Sequence, residues 1–130
     1  MVEKTCITTS RVWPGNGMLS PAVKVGKFLF ISGQAAFDEK GEIVGKGDME
    51  AQTVHVFECL KSILEASGGT LDNIVRMRIY LTDLKNRPKF HEVRKRYFKG
   101  GVLPASTLLV VKSLASEELL VEVDADAVLD

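Results

Sequence analysis

The chain has 130 residues, with 17 Lys plus Arg against 17 Asp plus Glu, 45% hydrophobic and 26% charged. This balance excludes a disordered chain and provides no basic footprint for nucleic acid. No apolar run suits a membrane span or a signal peptide, and Cys6 and Cys59 are expected as reduced thiols of a cytoplasmic protein.

Without repeat, low-complexity tract or linker, residues 1–130 read as a single domain. Ala22 to Val25 and Phe28 to Ser32 flank Gly26-Lys27, which predicts a tight hairpin whose second strand ends at Gly33-Gln34. From Asp48 the period changes to that of a helix. Thr53, Val56, Phe57, Leu60, Ile63 and Leu64 share one face, Asp48 can cap the start and Gly68 can close the end. Ile74 to Leu81 alternates as a half-buried strand, with Val75, Met77, Ile79 and Leu81 on one side and Arg76, Arg78 and Tyr80 on the other.

A second helix follows, with Asn86 as its cap, Pro88 in the first turn, a stripe of Phe90, Val93 and Tyr97, and Gly100-Gly101 as its stop. Ser106 to Val111 and Leu119 to Val128 read as closing strands. In the last of these Val121, Val123, Ala125 and Ala127 alternate with Glu122, Asp124 and Asp126, so three carboxylates line one sheet face. Arg76 and Arg78 make a matching cationic stripe, and the two strands are expected to be neighbours. That face is either solvated or covered by other subunits.

Residue chemistry alone identifies no reaction. His55 and His91 lack partners at metal-ligand spacing and the cysteines are too few for zinc, so no metal is expected, and no phosphate-cradling glycine pattern occurs. Cys59 beside the apolar stripe reads as a buried thiol, and His91 as a helix-surface histidine that could serve as a base.

Ordered along the chain are Ala22-Val23-Lys24-Val25-Gly26, Phe30-Ile31-Ser32-Gly33-Gln34, Gly41-Glu42-Ile43-Val44 and Glu50-Ala51-Gln52-Thr53. Leu64-Glu65-Ala66-Ser67-Gly68, Tyr80-Leu81-Thr82-Asp83, Tyr97-Phe98, Leu103-Pro104-Ala105 and Val121-Glu122-Val123-Asp124-Ala125 complete the series. In order and spacing these segments resemble the RidA/YjgF family, also called Rid or L-PSP. The resemblance implies an α/β (α+β) fold of the chorismate-mutase-like kind. By the same resemblance, two helices are expected on one face of a mixed sheet, and a homotrimer is expected to enclose a central barrel with small-molecule clefts between subunits. It also implies a cofactor-free hydrolase that deaminates imines or enamines with an arginine, a glutamate and a positioned water.

Carried over residue by residue, the resemblance makes Glu122 the catalytic glutamate and places Ser32, Gly33 and Ala105 at the cleft. It also marks departures. Ser106 stands where the family's arginine is expected, Leu108 replaces a cysteine, Leu19 a tyrosine, and His91 an asparagine. A serine hydroxyl does not replace a bidentate guanidinium. Hydrolysis of 2-iminobutanoate or 2-iminopropanoate is therefore expected to be poor, unless Arg78, Arg94 or Lys112 supplies the cation. Two readings follow: hydrolysis of another reactive imine, enamine or labile metabolite, or a non-catalytic trimer that binds small molecules or acts like a chaperone. Ribonuclease action, reported for some relatives, is the weakest, because net charge is zero and no aromatic-basic cluster occurs.

Overall fold

A computed structural model describes all residues, 1–130. Six strands form one sheet: β1 (Thr5–Ile7), β2 (Ala22–Val25), β3 (Phe28–Ala35), β4 (Ile74–Leu81), β5 (Ala105–Val110) and β6 (Val121–Val128). Their spatial order is β1-β2-β3-β6-β4-β5, antiparallel throughout except for the parallel pair β4 and β5. Parallel neighbours need a crossover, and α2 (Arg87–Tyr97) supplies it. The longer helix, α1 (Met49–Ala66), joins β3 to β4.

Local chemistry sets the ends of α1. The Asp48 side chain accepts from the Ala51 amide, satisfying a donor that the first turn leaves free. At the other end Gly68 takes φ +86°, and the Gly69 and Gly68 amides return to the Leu64 and Glu65 carbonyls. The α2 start differs from expectation, because Asn86 makes no side-chain cap. A 3-10 turn over Leu84–Asn86 leads into the helix, and Asp83 caps that turn instead by accepting from the Lys85 amide.

The apolar side of the sheet faces the helices. Val121, Val123, Ala125 and Ala127 are buried there with Leu29, Ile31, Met77 and Ile79. Phe57 of α1 meets Phe90 and Tyr97 of α2 and the adjoining Phe98, with ring centroids 5.1 to 5.7 Å apart. No helix is long and apolar enough to cross a membrane.

Two irregularities alter the expected alternation. The β3 strand does not stop at Gly33-Gln34 but continues to Ala35, after a bulge between Ile31 and Gln34 against β6. A second bulge between Ile74 and Arg76 makes Ile74 the buried residue and leaves Val75 48% exposed, so Val75 is not on the core side with Met77. From Arg76 onward the expected pairing holds: Arg76 faces Asp126, Arg78 faces Asp124 and Tyr80 faces Glu122.

Candidate functional site

The face of the sheet away from the helices carries a fixed polar row. Arg78 Nε lies 2.6 Å from Asp124 Oδ1, and its terminal nitrogens donate to Asp126 at 3.3 Å. The Nε contact is a close charge pairing rather than an aligned hydrogen bond. Hydrogen bonding to Asp126 and the charges of both aspartates hold the guanidinium more firmly protonated. The Tyr80 hydroxyl donates to Asp124 Oδ2 at 3.0 Å.

Glu122 continues this row between Ala35 of β3 and Tyr80 of β4. It has no cationic partner. Burial, and secondarily the charge of Asp124, push its carboxyl above the usual carboxylate range. Gly33 lies directly against it, since a Cβ at that position would sit 2.3 Å from Oε2. The bulge that carries Ser32 and Gly33 is tied down locally: the Ser32 hydroxyl donates to the Ser20 carbonyl at 2.7 Å, and its amide to Pro21. Gln34 Nε2 donates to the Ser32 carbonyl. Leu19, exposed and adjacent to Ser20, belongs to this end of the molecule.

The other expected residues lie elsewhere. Ser106 is the cross-strand partner of Met77 and Leu108 of Ile79, so both side chains are on the helix side of the sheet. Together with His91, Arg87, Arg94 and Val110 they line an open groove of about 470 Å³ between α2 and β5. Ala105 pairs with Arg76 and is exposed on the opposite face. The chain therefore presents two groups of the expected residues on opposite faces of its sheet: Glu122 with Gly33 and Ser32, and Ser106 with Leu108 and His91.

The groove is less apolar than the leucine at 108 suggests. Arg87 Nε donates to His91 Nε2 at 3.3 Å, and burial followed by the charges of Arg94, Arg87 and Lys95 pushes the histidine's pKa down. Arg94 is half-buried, and burial alone lowers its pKa. Neither Arg87 nor Val110 carried any sequence signal for a site, because only the packing of α2 on the edge strand brings them together. Of the other cations that could stand in for the family's arginine, Arg78 is committed to Asp124 and Asp126, and Lys112 is exposed beyond β5.

Cys59 is buried, and desolvation pushes its thiol up to about 12, as suits an inert core residue. His55 Nε2 lies 2.7 Å from the Phe37 carbonyl, where it ties α1 to the loop after β3. No three His, Cys, Asp or Glu side chains gather as metal ligands.

The family description "endoribonuclease L-PSP" matches residues 12–129. The chain belongs to the RidA/YjgF (L-PSP) family. A RutC family protein of Pyrococcus abyssi is 41% identical over 127 residues, covering 97% of this chain and 98% of the relative. A second from Saccharolobus solfataricus is 38% identical, with 92% and 94% covered. Among solved structures, RidA from an Antarctic Psychrobacter superposes with a TM-score of 0.87 at 33% identity, covering 96% of this chain and 99% of that one. The structure of TdcF from E. coli with bound serine gives 0.88 at 28% identity, covering 97% and 99%. The two-helix, mixed-sheet architecture is thus that of RidA/YjgF proteins, and the Ser32-Gly33 bulge and Glu122 occupy the sheet positions described above.

Proposed function

We propose that this protein assembles as a homotrimer and hydrolyses a small reactive imine or enamine in clefts between subunits, with Glu122 handling the proton. The observation that carries this reading is the division of the site. Glu122 and Ser106 lie on opposite faces of one sheet, so a complete cleft needs residues from a second copy. The face bearing Glu122 also exposes Phe28, Phe30 and Leu109, each at about half of its surface, beside the fixed Arg78-Asp124-Asp126 cluster. A symmetric partner would cover these apolar side chains together with the charge cluster, which lies between them on β6 and β4.

The chemistry asked of Glu122 is modest. Water adds to the C=N carbon while a proton passes to nitrogen, and the C–N bond then breaks to leave a carbonyl compound and ammonia. A carboxyl held above its ordinary range is suited to taking a proton from the water and returning it to the leaving nitrogen. TdcF, a relative by structure, was crystallised with serine, and a small amino or imino carboxylate fits the same reading here. Ser106 places no cation on β5, so short 2-imino acids are expected to turn over poorly.

Light scattering should give three subunit masses, and ammonia release from imines generated by an amino-acid oxidase should be faster with protein than without. A monomer at micromolar concentration overturns the cleft. A trimer that binds ligand without accelerating hydrolysis overturns the enzyme reading in favour of a binding protein.

A further inference from the structure

We infer that Arg94 on α2 anchors the anionic group of the ligand in the groove against β5, and that the ligand is a small carboxylate with an apolar body larger than a methyl group. This rests on reading the groove as part of a ligand cleft. Its support is the state of the α2 cations. Arg96 reaches Glu50 and Glu92, and Lys89 reaches the same two carboxylates. Arg87 donates to His91. Lys95 meets no acceptor either but is exposed, whereas Arg94 is half-buried, lines the groove, and has no carboxylate or other acceptor of the chain at its guanidinium.

A guanidinium partly removed from water without a partner is unfavourable unless an anion completes it. No acidic side chain lines the groove. Its walls carry Arg87, His91 and Arg94 on one side and Ser106, Leu108 and Val110 on the other, with Leu84 at one end. The cationic wall suits a carboxylate, which a guanidinium can hold through two parallel hydrogen bonds. The apolar residues suit a branched or aromatic body. Ser106 is small, and its hydroxyl leaves room where a longer cation would crowd Arg94. A strand serine and a helix arginine are in this sense complementary halves of one anion site.

The probe is 4-methyl-2-oxopentanoate, a stable carboxylate with a branched apolar body, titrated calorimetrically into the full-length protein. It should bind about tenfold more tightly than pyruvate, and the neutral ketone 4-methyl-2-pentanone should not bind detectably. Arg94→Met should weaken binding by about 10- to 100-fold without changing the sedimentation coefficient, and Ser106→Arg added to it should recover most of the loss. Arg94→Lys, which keeps the charge and loses the fork, should fall between and serves if the methionine variant does not fold. The proton NMR signals of His91 should titrate at higher pH when the ligand is bound, because the carboxylate offsets the neighbouring cations.

Unchanged affinity in both Arg94 variants, or no binding of either oxo acid at millimolar concentration, overturns the inference. Dissociation of the trimer with affinity retained reassigns Arg94 to a subunit contact and also overturns it. Arg94-dependent binding without imine hydrolysis removes only the enzyme reading. Hydrolysis that Arg94→Met leaves unchanged removes only the anchor.

Discussion

Gly33 and Glu122 are packed so closely that a Cβ at residue 33 would lie 2.3 Å from Oε2 and 2.8 Å from the carboxyl carbon. The obstructing atoms are the far end of a flexible side chain, so the fold can accept an added methyl only by moving the carboxylate. Gly33→Ala should therefore lower stability by less than about 1 kcal/mol. A displacement on the order of 1 Å should lower turnover by roughly 100-fold. Thermal melting and initial-rate assays on the same preparation check both halves. A variant with full activity would show that Glu122 need not occupy its observed position.

Glu122→Gln keeps the shape of the side chain and removes its ionisation. Burial first, and Asp124 second, hold the folded-state pKa of Glu122 above its unfolded value. Its ionisation then opposes folding: the cost is absent below about pH 4.3, the unfolded-state value, and develops as pH rises through the raised folded-state value. The glutamine variant should match wild type in acid and be the more stable protein at pH 7. Hydrolysis should fall by about 10²- to 10⁴-fold. Melting curves across pH 4 to 8 test the sign, and a stability difference that shrinks with rising pH contradicts it.

Arg78 bridges Asp124 and Asp126 on β6 from its place on β4. About a third of its side chain remains exposed, so solvent screens the attraction. Arg78→Met should cost about 1–2 kcal/mol. A double-mutant cycle with Asp126→Asn should give a coupling near 1 kcal/mol. Chemical denaturation of the four proteins measures it, and zero coupling would reduce the pair to a solvated surface contact.

Gln52, fully buried on α1, was legible only as part of a family segment, yet it joins three parts of the chain. Its Nε2 donates to the carbonyls of Gly45 and Glu118, and its Oε1 accepts from the Leu120 amide at 2.8 Å, immediately before the strand that carries Glu122. Gln52→Leu would leave those partly buried backbone groups without their partners. The expected loss is about 2–4 kcal/mol. Faster hydrogen exchange at Leu120 should accompany it, and retention of wild-type exchange there would show that water replaces the side chain.

Features set by neighbours along the chain were legible in the sequence. Asp48 and Gly68 bound α1 because capping depends on residues within a turn, and the Val121 to Val128 alternation exposes its acids because a strand's side chains alternate whatever it pairs with. The Gly26-Lys27 hairpin is of the same kind, with Gly26 at φ +58°. The family resemblance added the architecture and marked Glu122 and Ser106. Tertiary pairing decided the rest. Whether Val75 or Ile74 is buried depends on a bulge against β6, and a bulge is a mismatch between two strands that neither sequence shows alone. That Ser106 and Glu122 face opposite sides follows from the register of β5 on β4 and of β4 on β6. Arg94 was one of three cations the resemblance left open, and it is singled out only when α2 is laid beside β5, because an unpaired cation is defined by the absence of acids from every surrounding element.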